Sequence, residues 1–477
     1  MSLRKKTLSG IFWVGISTFL LKIINFSFNI LLARLLSPSD FGLIAIALIS
    51  INFFEIFRDF GIGNALIHRK GDIENAANTA FYLFPAIAIL FYFISYTTAP
   101  YIADFFKEDI ELIIRVLSLS LVIWSFGNLP RSLLKKELEF KKMTFVQLIP
   151  KIGYGLVSVF LALEGYGVWS LVIGRLILEI LSTAFIWSAI KWRPCIKFSL
   201  AEAIELLNYG KHVLVSSLFA FIMTVIDTVI IGKNLGVEYL GYYTIGLSIA
   251  NFFTIQLANI ASQVLFPLYS KIENSDLIGL THLKILKFSS YVIFPISFGI
   301  ISVSENFILI FYGDKWVPTI AVLQILCIYG LTQSIQKISE NVFFSMGKPK
   351  IVAKINLIQF LMITALIFPL TLEYGIIGTS ISVMIPSLLT MFIALHNVSK
   401  VLRINYRYIL ETIFEPAIGS ILMLFSIFQL KVYLQNFSDI IALGICIVSG
   451  LMIVFLFSYF MLKNDLKEIA NNLIEMS

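Results

Sequence analysis

Apolar residues run along nearly the whole chain in stretches of about 20, broken by short polar segments. Fourteen such stretches are predicted as helices. They fall near 10–33, 41–67, 79–100, 112–132, 144–163, 167–190, 211–231, 240–267, 288–312, 318–344, 352–372, 375–397, 409–430 and 439–462. Each is long enough to cross a bilayer. A β-barrel would instead show short strands with alternating polar positions, and none appear.

Composition sharpens this picture. The 477 residues are 58% hydrophobic and only 14% charged, and mean hydropathy is +0.90. An ordinary soluble chain carries about 25% charged residues. The fold class is therefore an all-α polytopic membrane protein with about 14 transmembrane helices. The start, "MSLRKKTLSGIFWVGISTFLL", has a basic and then an apolar part like a signal peptide. No small-residue cleavage site follows, so it is expected to be a retained first helix. Cys195, Cys327 and Cys446 are scattered and have neither disulfide nor metal spacing. The four histidines lie near predicted helix ends. No P-loop, nucleophile elbow or metal signature is present. No catalytic residue, metal or cofactor is expected.

Charge sets the orientation. If the N-terminus is cytoplasmic, the inner loops carry most of the Lys and Arg. Lys135, Lys136, Lys141 and Lys142 share one such loop; Lys191, Arg193 and Lys197 share another. The outer segments hold only Arg34, Lys107, Lys233, Lys315 and Lys431. The positive-inside rule then predicts N-in and C-in, in the inner (cytoplasmic) membrane. The same bias accounts for much of the net charge of +7 without a nucleic acid partner. No loop is long enough for a nucleotide-binding domain, so energy must come from ions, the substrate gradient or a separate protein.

The chain also repeats itself. "LLARLLSPSDFGLIAIALISINFF" (31–54) aligns without a gap on "IIGKNLGVEYLGYYTIGLSIANFF" (230–253), 199 residues later. Gly42 meets Gly241, and Asn52 meets Asn251. "LEGYGVWSL" (163–171) aligns on "LEYGIIGTS" (372–380). These matches predict a six-helix lobe over 1–200 and a second over 201–400. Residues 401–477 add two helices and a short cytoplasmic tail. Six is even, so the lobes are related by a parallel pseudo-two-fold axis along the membrane normal. Transporters of this kind bind between their lobes and rock.

Polar residues interrupt several spans. Lys22, Asn25 and Asn29 share one face of the first helix. Asn52, Glu55 and Asp59 share a face of the second, with Arg58 beside them. Arg175 and Glu179 lie on the sixth, Asp227 on the seventh, and Gln333, Lys337, Glu340 and Asn341 on the tenth. A charge facing lipid at mid-membrane costs about 3 kcal/mol, so these side chains are expected to face protein or water. Glu55–Arg58, Arg175–Glu179 and Lys337–Glu340 are each spaced for an ion pair within one helix. Asp227 lies near the outer end, where outside water is a simpler neighbour. Lys22 has no carboxylate at helical spacing.

Six stretches, in order, carry a resemblance: "FRDFGIGNALIHRK", "LPRSLLKKELEFKKMTFVQLI", "GYGVWSLVIGRL", "DTVIIGKNLGVEYLGYYTIG", "LFPLYSKI" and "FYGDKWVPTIAVLQIL". Through them the chain resembles the polysaccharide-transport (Wzx-type) flippases of the multidrug/oligosaccharidyl-lipid/polysaccharide exporter superfamily. Within these it is most like the colanic-acid and teichuronic-acid exporters. The resemblance implies two six-helix lobes plus two terminal helices. It implies movement of an undecaprenyl-pyrophosphate-linked oligosaccharide from the inner to the outer leaflet by alternating access. The partners are then that lipid-linked oligosaccharide and membrane lipid, with polysaccharide polymerase and chain-length proteins as further candidates. Lys22, Asn25, Asn52, Arg58, Arg175 and Lys337 become cavity candidates for the sugar and pyrophosphate. Glu55, Asp59, Glu179, Asp227 and Glu340 become coupling or ion-pair candidates. A multidrug or cation antiporter is the alternative, but it calls for an acidic cavity with few bases. A membrane polysaccharide polymerase calls for a large outer loop or a convergent acid/base set.

Overall fold

The computed structural model describes the backbone of residues 3–59, 61–69, 73–272 and 274–475. Within that range, the side chains of 3–12, 14, 58–59, 64, 68, 209–217, 219–220, 257, 260, 263–264, 275 and 462–475 are not described. The described residues contain helices and no strand. In chain order these are α1 (Leu3–Leu35), α2 (Pro38–Asp59), α3 (Ile62–His68), α4 (Glu74–Phe106), α5 (Glu111–Lys136), α6 (Phe140–Leu163), α7 (Val168–Ala189) and α8 (Leu200–Asn234). There follow α9 (Val237–Phe253), α10 (Ile255–Lys271), α11 (Ser275–Phe311), α12 (Thr319–Ser345), α13 (Pro349–Leu402), α14 (Tyr406–Tyr433) and α15 (Asp439–Glu475). Helix is the natural outcome, because hydrocarbon offers backbone N–H and C=O groups no partner outside their own segment.

Eleven of these helices are long and apolar enough to cross a membrane. One of them, α13, is two segments. At Gly375 the backbone adopts φ 60°, ψ −142°, which glycine alone takes readily. The chain reverses there: the Thr371 and Thr379 hydroxyls lie 2.8 Å apart, and a Cβ on Gly378 would overlap the Leu370 carbonyl. A straight helix would hold residues eight apart about 12 Å from each other. The seventh predicted span lies within α8, and the eighth is divided between α9 and α10. All fourteen expected segments thus have helical counterparts.

Two expected spans are interrupted. The segment 41–67 divides into α2 and α3, with Gly61 at φ 68° entering α3. The segment 240–267 divides at Thr254, which packs so closely on Gly330 of α12 that a Cβ there would overlap its hydroxyl. Apolar periodicity continues through both breaks, so it does not reveal them.

The chain forms two compact units, Met1–Thr244 and Ile245–Ser477. In the first, α6 packs on α1 and α7, α5 packs on α4 and α7, and α2 packs on α5 and α8. Polar contacts tie one end of this unit together. Lys136 Nζ donates to the carbonyls of Leu66 (2.7 Å) and Arg69 (2.6 Å), satisfying the end of α3. Arg69 in turn grips Glu202 of α8, with Nη2 2.9 Å from Oε1. In the second unit α12 packs on α10, α11 and α13, and α14 and α15 pack on α11.

The repeat is visible in backbone contacts. α1 ends at Leu35 and α8 at Asn234, while α2 starts at Pro38 and α9 at Val237. Both pairs keep the 199-residue register. A Cβ on Gly42 would overlap the Val237 carbonyl, and a Cβ on Gly241 would overlap that of Pro38. Under the repeat these are one contact seen twice. The second sequence match needs a correction. It pairs Gly167 with Ile376, but Gly167 (φ 52°, ψ −134°) shares its conformation with Gly375. The register there shifts by one residue.

The glycine crossing gives a direct expectation. Gly42→Ala and Gly241→Ala should each destabilise the protein by about 1–3 kcal/mol, because the obstacle is backbone and cannot rotate away. Gly15, with nothing within 4 Å of its built Cβ, is the control. Thermal unfolding in detergent measures the difference; equal midpoints for Gly42→Ala and Gly15→Ala would refute the close crossing.

Candidate functional site

In the N-terminal unit, three helices meet around Arg175. Its Nη2 lies 3.3 Å from Glu55 Oε1 on α2 and 3.3 Å from Glu179 Oε1, one turn along α7. The Glu179 side chain is 8% exposed, Glu55 22% and Arg175 30%. Arg175 Nε has no hydrogen-bond partner among the described residues. On α6, Lys151 lies over the Tyr154 ring, 4.3 Å from its centroid. It is within electrostatic reach of Arg175 and Glu179. Close packing makes this possible: a Cβ on Gly174 of α7 would overlap the Ser158 hydroxyl of α6. The four groups Glu55, Glu179, Arg175 and Lys151 balance in charge, which is how ionised side chains persist away from water.

The expected pairs fare differently. Arg175–Glu179 is present. Glu55 bonds across to Arg175; the side chains of Arg58 and Asp59 lie outside the described residues, so the Glu55–Arg58 pair does too. Asp227 is not turned to outside water. It is buried, and accepts from the Tyr243 hydroxyl (2.6 Å) and from the backbone N–H of Thr228 (2.7 Å). These partners make it a brace between α8 and α9.

Lys22, Asn25 and Asn52 are exposed on their helices. Lys22 makes no hydrogen bond or ion pair with any described residue. Asn29, on the same face of α1, is half-buried next to Phe28, which packs against Gly155 of α6.

The C-terminal unit has its own polar core. Gln336 Nε2 donates to Glu340 Oε1 (3.2 Å) and Asn356 Oδ1 (3.4 Å), and Gln336 Oε1 accepts from Thr390 (3.1 Å). Lys337 donates to Asn259 Oδ1 on α10, and Asn341 donates to Ser262 (3.0 Å). In place of the expected Lys337–Glu340 hydrogen bond, Lys337 meets Asn259 of α10 and Glu340 meets Gln336, one turn away on its own helix. Sequence reasoning marked Gln333 on this stripe, but the hub is Gln336. Spacing alone did not rank the two; Asn259, Asn356 and Thr390 reach Gln336 and Lys337 only through packing.

The model of a family described as polysaccharide biosynthesis protein matches residues 31–321, more than half of the chain. The chain belongs to this family. Its similar proteins include the lipopolysaccharide biosynthesis protein WzxC of Escherichia coli (strain K12), 27% identical over 87% of this chain and 86% of the relative. The teichuronic acid biosynthesis protein TuaB of Bacillus subtilis (strain 168) is also 27% identical, over 73% of each chain. Among solved structures, the lipid II flippase MurJ in an inward closed conformation aligns with a TM-score of 0.76 at 18% identity, covering 95% of this chain and 99% of that one. An inward-facing multidrug resistance transporter of the MATE family aligns at 0.63 and 14% identity, covering 80% and 94%. This member of the polysaccharide biosynthesis family thus has the helical transporter fold that its ordered sequence stretches implied, and it is a multi-pass membrane protein.

Proposed function

We propose that this chain is a flippase, a transporter rather than an enzyme. It moves an undecaprenyl-pyrophosphate-linked oligosaccharide from the inner to the outer leaflet of the cytoplasmic membrane by alternating access. The observation that carries this reading is a cation without a described partner, Lys22, exposed on a membrane helix of a polysaccharide biosynthesis protein. A sugar and a pyrophosphate must cross about 30 Å of hydrocarbon. Lys22 and Arg175 supply charge for the phosphates, and Asn25 and Asn52 supply hydrogen bonds for the sugar. The lipid tail needs no polar path. The functional lobes are 1–200 and 201–400, moving about the glycine crossing, with 401–477 as an addition. Arg58 and Lys337 complete the cationic set. Polymerase and chain-length proteins are the proposed partners.

Deletion of the gene should stop surface glycan export and accumulate one lipid-linked intermediate, with drug resistance unchanged. In liposomes the purified protein should translocate a lipid-linked sugar. Transport of cationic dyes in place of the sugar would favour an antiporter and sink the flippase reading.

The proposed orientation is N-in and C-in, supported by the basic-loop bias. Reporter fusions after Lys107 and Lys315 should read outside; fusions after Lys142 and Lys350 should read inside. Reversal at two or more sites rejects the topology.

A further inference from the structure

Residues 190–199 pass between α7 and α8 without helix. They are nevertheless held in place by α4. The Cys195 N–H donates to Asn78 Oδ1 (2.7 Å), the Ser199 N–H donates to Thr79 Oγ1 (3.1 Å), and the Tyr82 hydroxyl donates to the Cys195 carbonyl (3.3 Å). Asn78 and Thr79 are fully buried. Ser199 then caps α8 by accepting from the Glu202 N–H. The segment is a fixed strap with a defined outer face.

That face is apolar. Ile196 is 97% exposed, Phe198 57%, Leu200 68% and Ile204 51%. Alternate residues of extended chain share a side, and residues four apart share a side of a helix. Phe198, Leu200 and Ile204 therefore form one row running from the strap onto α8, and Ile196 stands exposed beside it at a tight turn in which the Lys197 N–H donates to the Cys195 carbonyl (2.8 Å). Ala203 and Leu206, on another side of α8, are buried in the core. Lys191, Arg193 and Lys197 flank the row and are exposed. The nearby carboxylates are Glu202, held by Arg69, and Glu205, 3.8 Å from the same guanidinium. Arg69 offsets one of them, and Lys191, Arg193 and Lys197 outweigh the other, so the strap keeps a net positive charge.

Depth follows from length. α7 has 22 residues, about 33 Å, enough to cross the hydrocarbon once. The strap begins where that crossing ends. α8 has 35 residues, about 52 Å, so its first turns project beyond the hydrocarbon. A row of large apolar residues flanked by Lys and Arg at this depth has the pattern of a membrane-surface segment.

We propose that the strap is a binding site for anionic phospholipid. Ile196, Phe198, Leu200 and Ile204 enter the acyl boundary of the adjacent leaflet, and Lys191, Arg193 and Lys197 hold phosphodiester headgroups. The bound lipid anchors the starts of α4 and α8 to the bilayer surface. This site is independent of the flippase reading.

Cys195 provides the probe, because it is exposed while Cys327 and Cys446 are buried. In a Cys327→Ala, Cys446→Ala background, the full chain carries a fluorophore on Cys195 in phosphatidylcholine vesicles. Brominated phosphatidylglycerol or brominated phosphatidylcholine is then added as quencher. Each basic residue near an anionic surface contributes about a fivefold preference. The expected result is at least about fivefold tighter association of phosphatidylglycerol, falling to near parity in Lys191→Gln, Arg193→Gln, Lys197→Gln. Equal quenching by both lipids would overturn the headgroup assignment. Quenching by neither would place the strap in water and overturn the whole proposal. Relief of quenching by undecaprenyl pyrophosphate at low mole fraction, with phosphatidylglycerol without effect, would reassign the strap to the transported lipid.

Discussion

Lys22→Ala is expected to cut glycan export at least tenfold while leaving protein abundance unchanged. The side chain is exposed and makes no hydrogen bond or ion pair with a described residue, so its removal orphans no described carboxylate. Its position on a membrane helix is costly, at about 3 kcal/mol if it faced lipid. A hydrogen bond from a charged group contributes about 1.5–3 kcal/mol, which corresponds to roughly ten- to hundredfold in binding. Lys22→Arg should retain most export, since charge is kept. Lys22→Met decides between readings. If Lys22 merely faced lipid, methionine would improve insertion and leave export intact. Wild-type export in a Lys22→Met strain, measured as surface glycan against protein level, would remove Lys22 from the proposed path.

Arg175→Ala is expected to destabilise the protein by about 3 kcal/mol. This is the low end for breaking a buried pair, because Arg175 and Glu55 retain 30% and 22% exposure. The variant leaves Glu179 inside the helix packing with its nearest cation gone. Adding Glu55→Gln should recover most of the loss, since Glu179 and Lys151 then balance each other. Thermal unfolding in detergent reads the first effect; no fall in midpoint for Arg175→Ala would mean that the pair contributes little. Export reads the second. If Arg175 meets the phosphates, the double variant Arg175→Ala, Glu55→Gln regains stability but not export. Recovery of both would make Arg175 a structural cation only.

The membrane class, the helical segments and the 199-residue repeat were legible from the pattern of residues. They depend on hydrophobicity and on spacing along the chain, and both are written in order. The Gly42–Gly241 alignment was legible too, but its meaning was not. That each glycine admits the other helix's backbone carbonyl is a fact about crossing, not about sequence. Within one helix, Arg175–Glu179 was readable because four residues is one turn. The partners of Lys337 and Asp227 were misread for the complementary reason. Spacing proposes only same-helix neighbours, while Asn259 and Tyr243 arrive from other helices.

Sequence alone determined that this chain spans a membrane many times, repeats itself and places charges inside its spans. Lipid leaves no other outcome for such runs, since each backbone must satisfy itself within the segment. Tertiary structure alone decided the breaks inside two expected spans, at Gly61 and at Thr254, and that the boundary expected near Gly375 is a tight reversal. It also decided that Glu55 pairs with Arg175 across two helices, and that Gln336 is the hub of its network. Hydrophobic runs continue through a break, and the partner of a buried charge depends on which helices pack together. Distance along the chain does not encode that choice; packing makes it, by bringing opposite charges and hydrogen-bonding groups together where water is excluded.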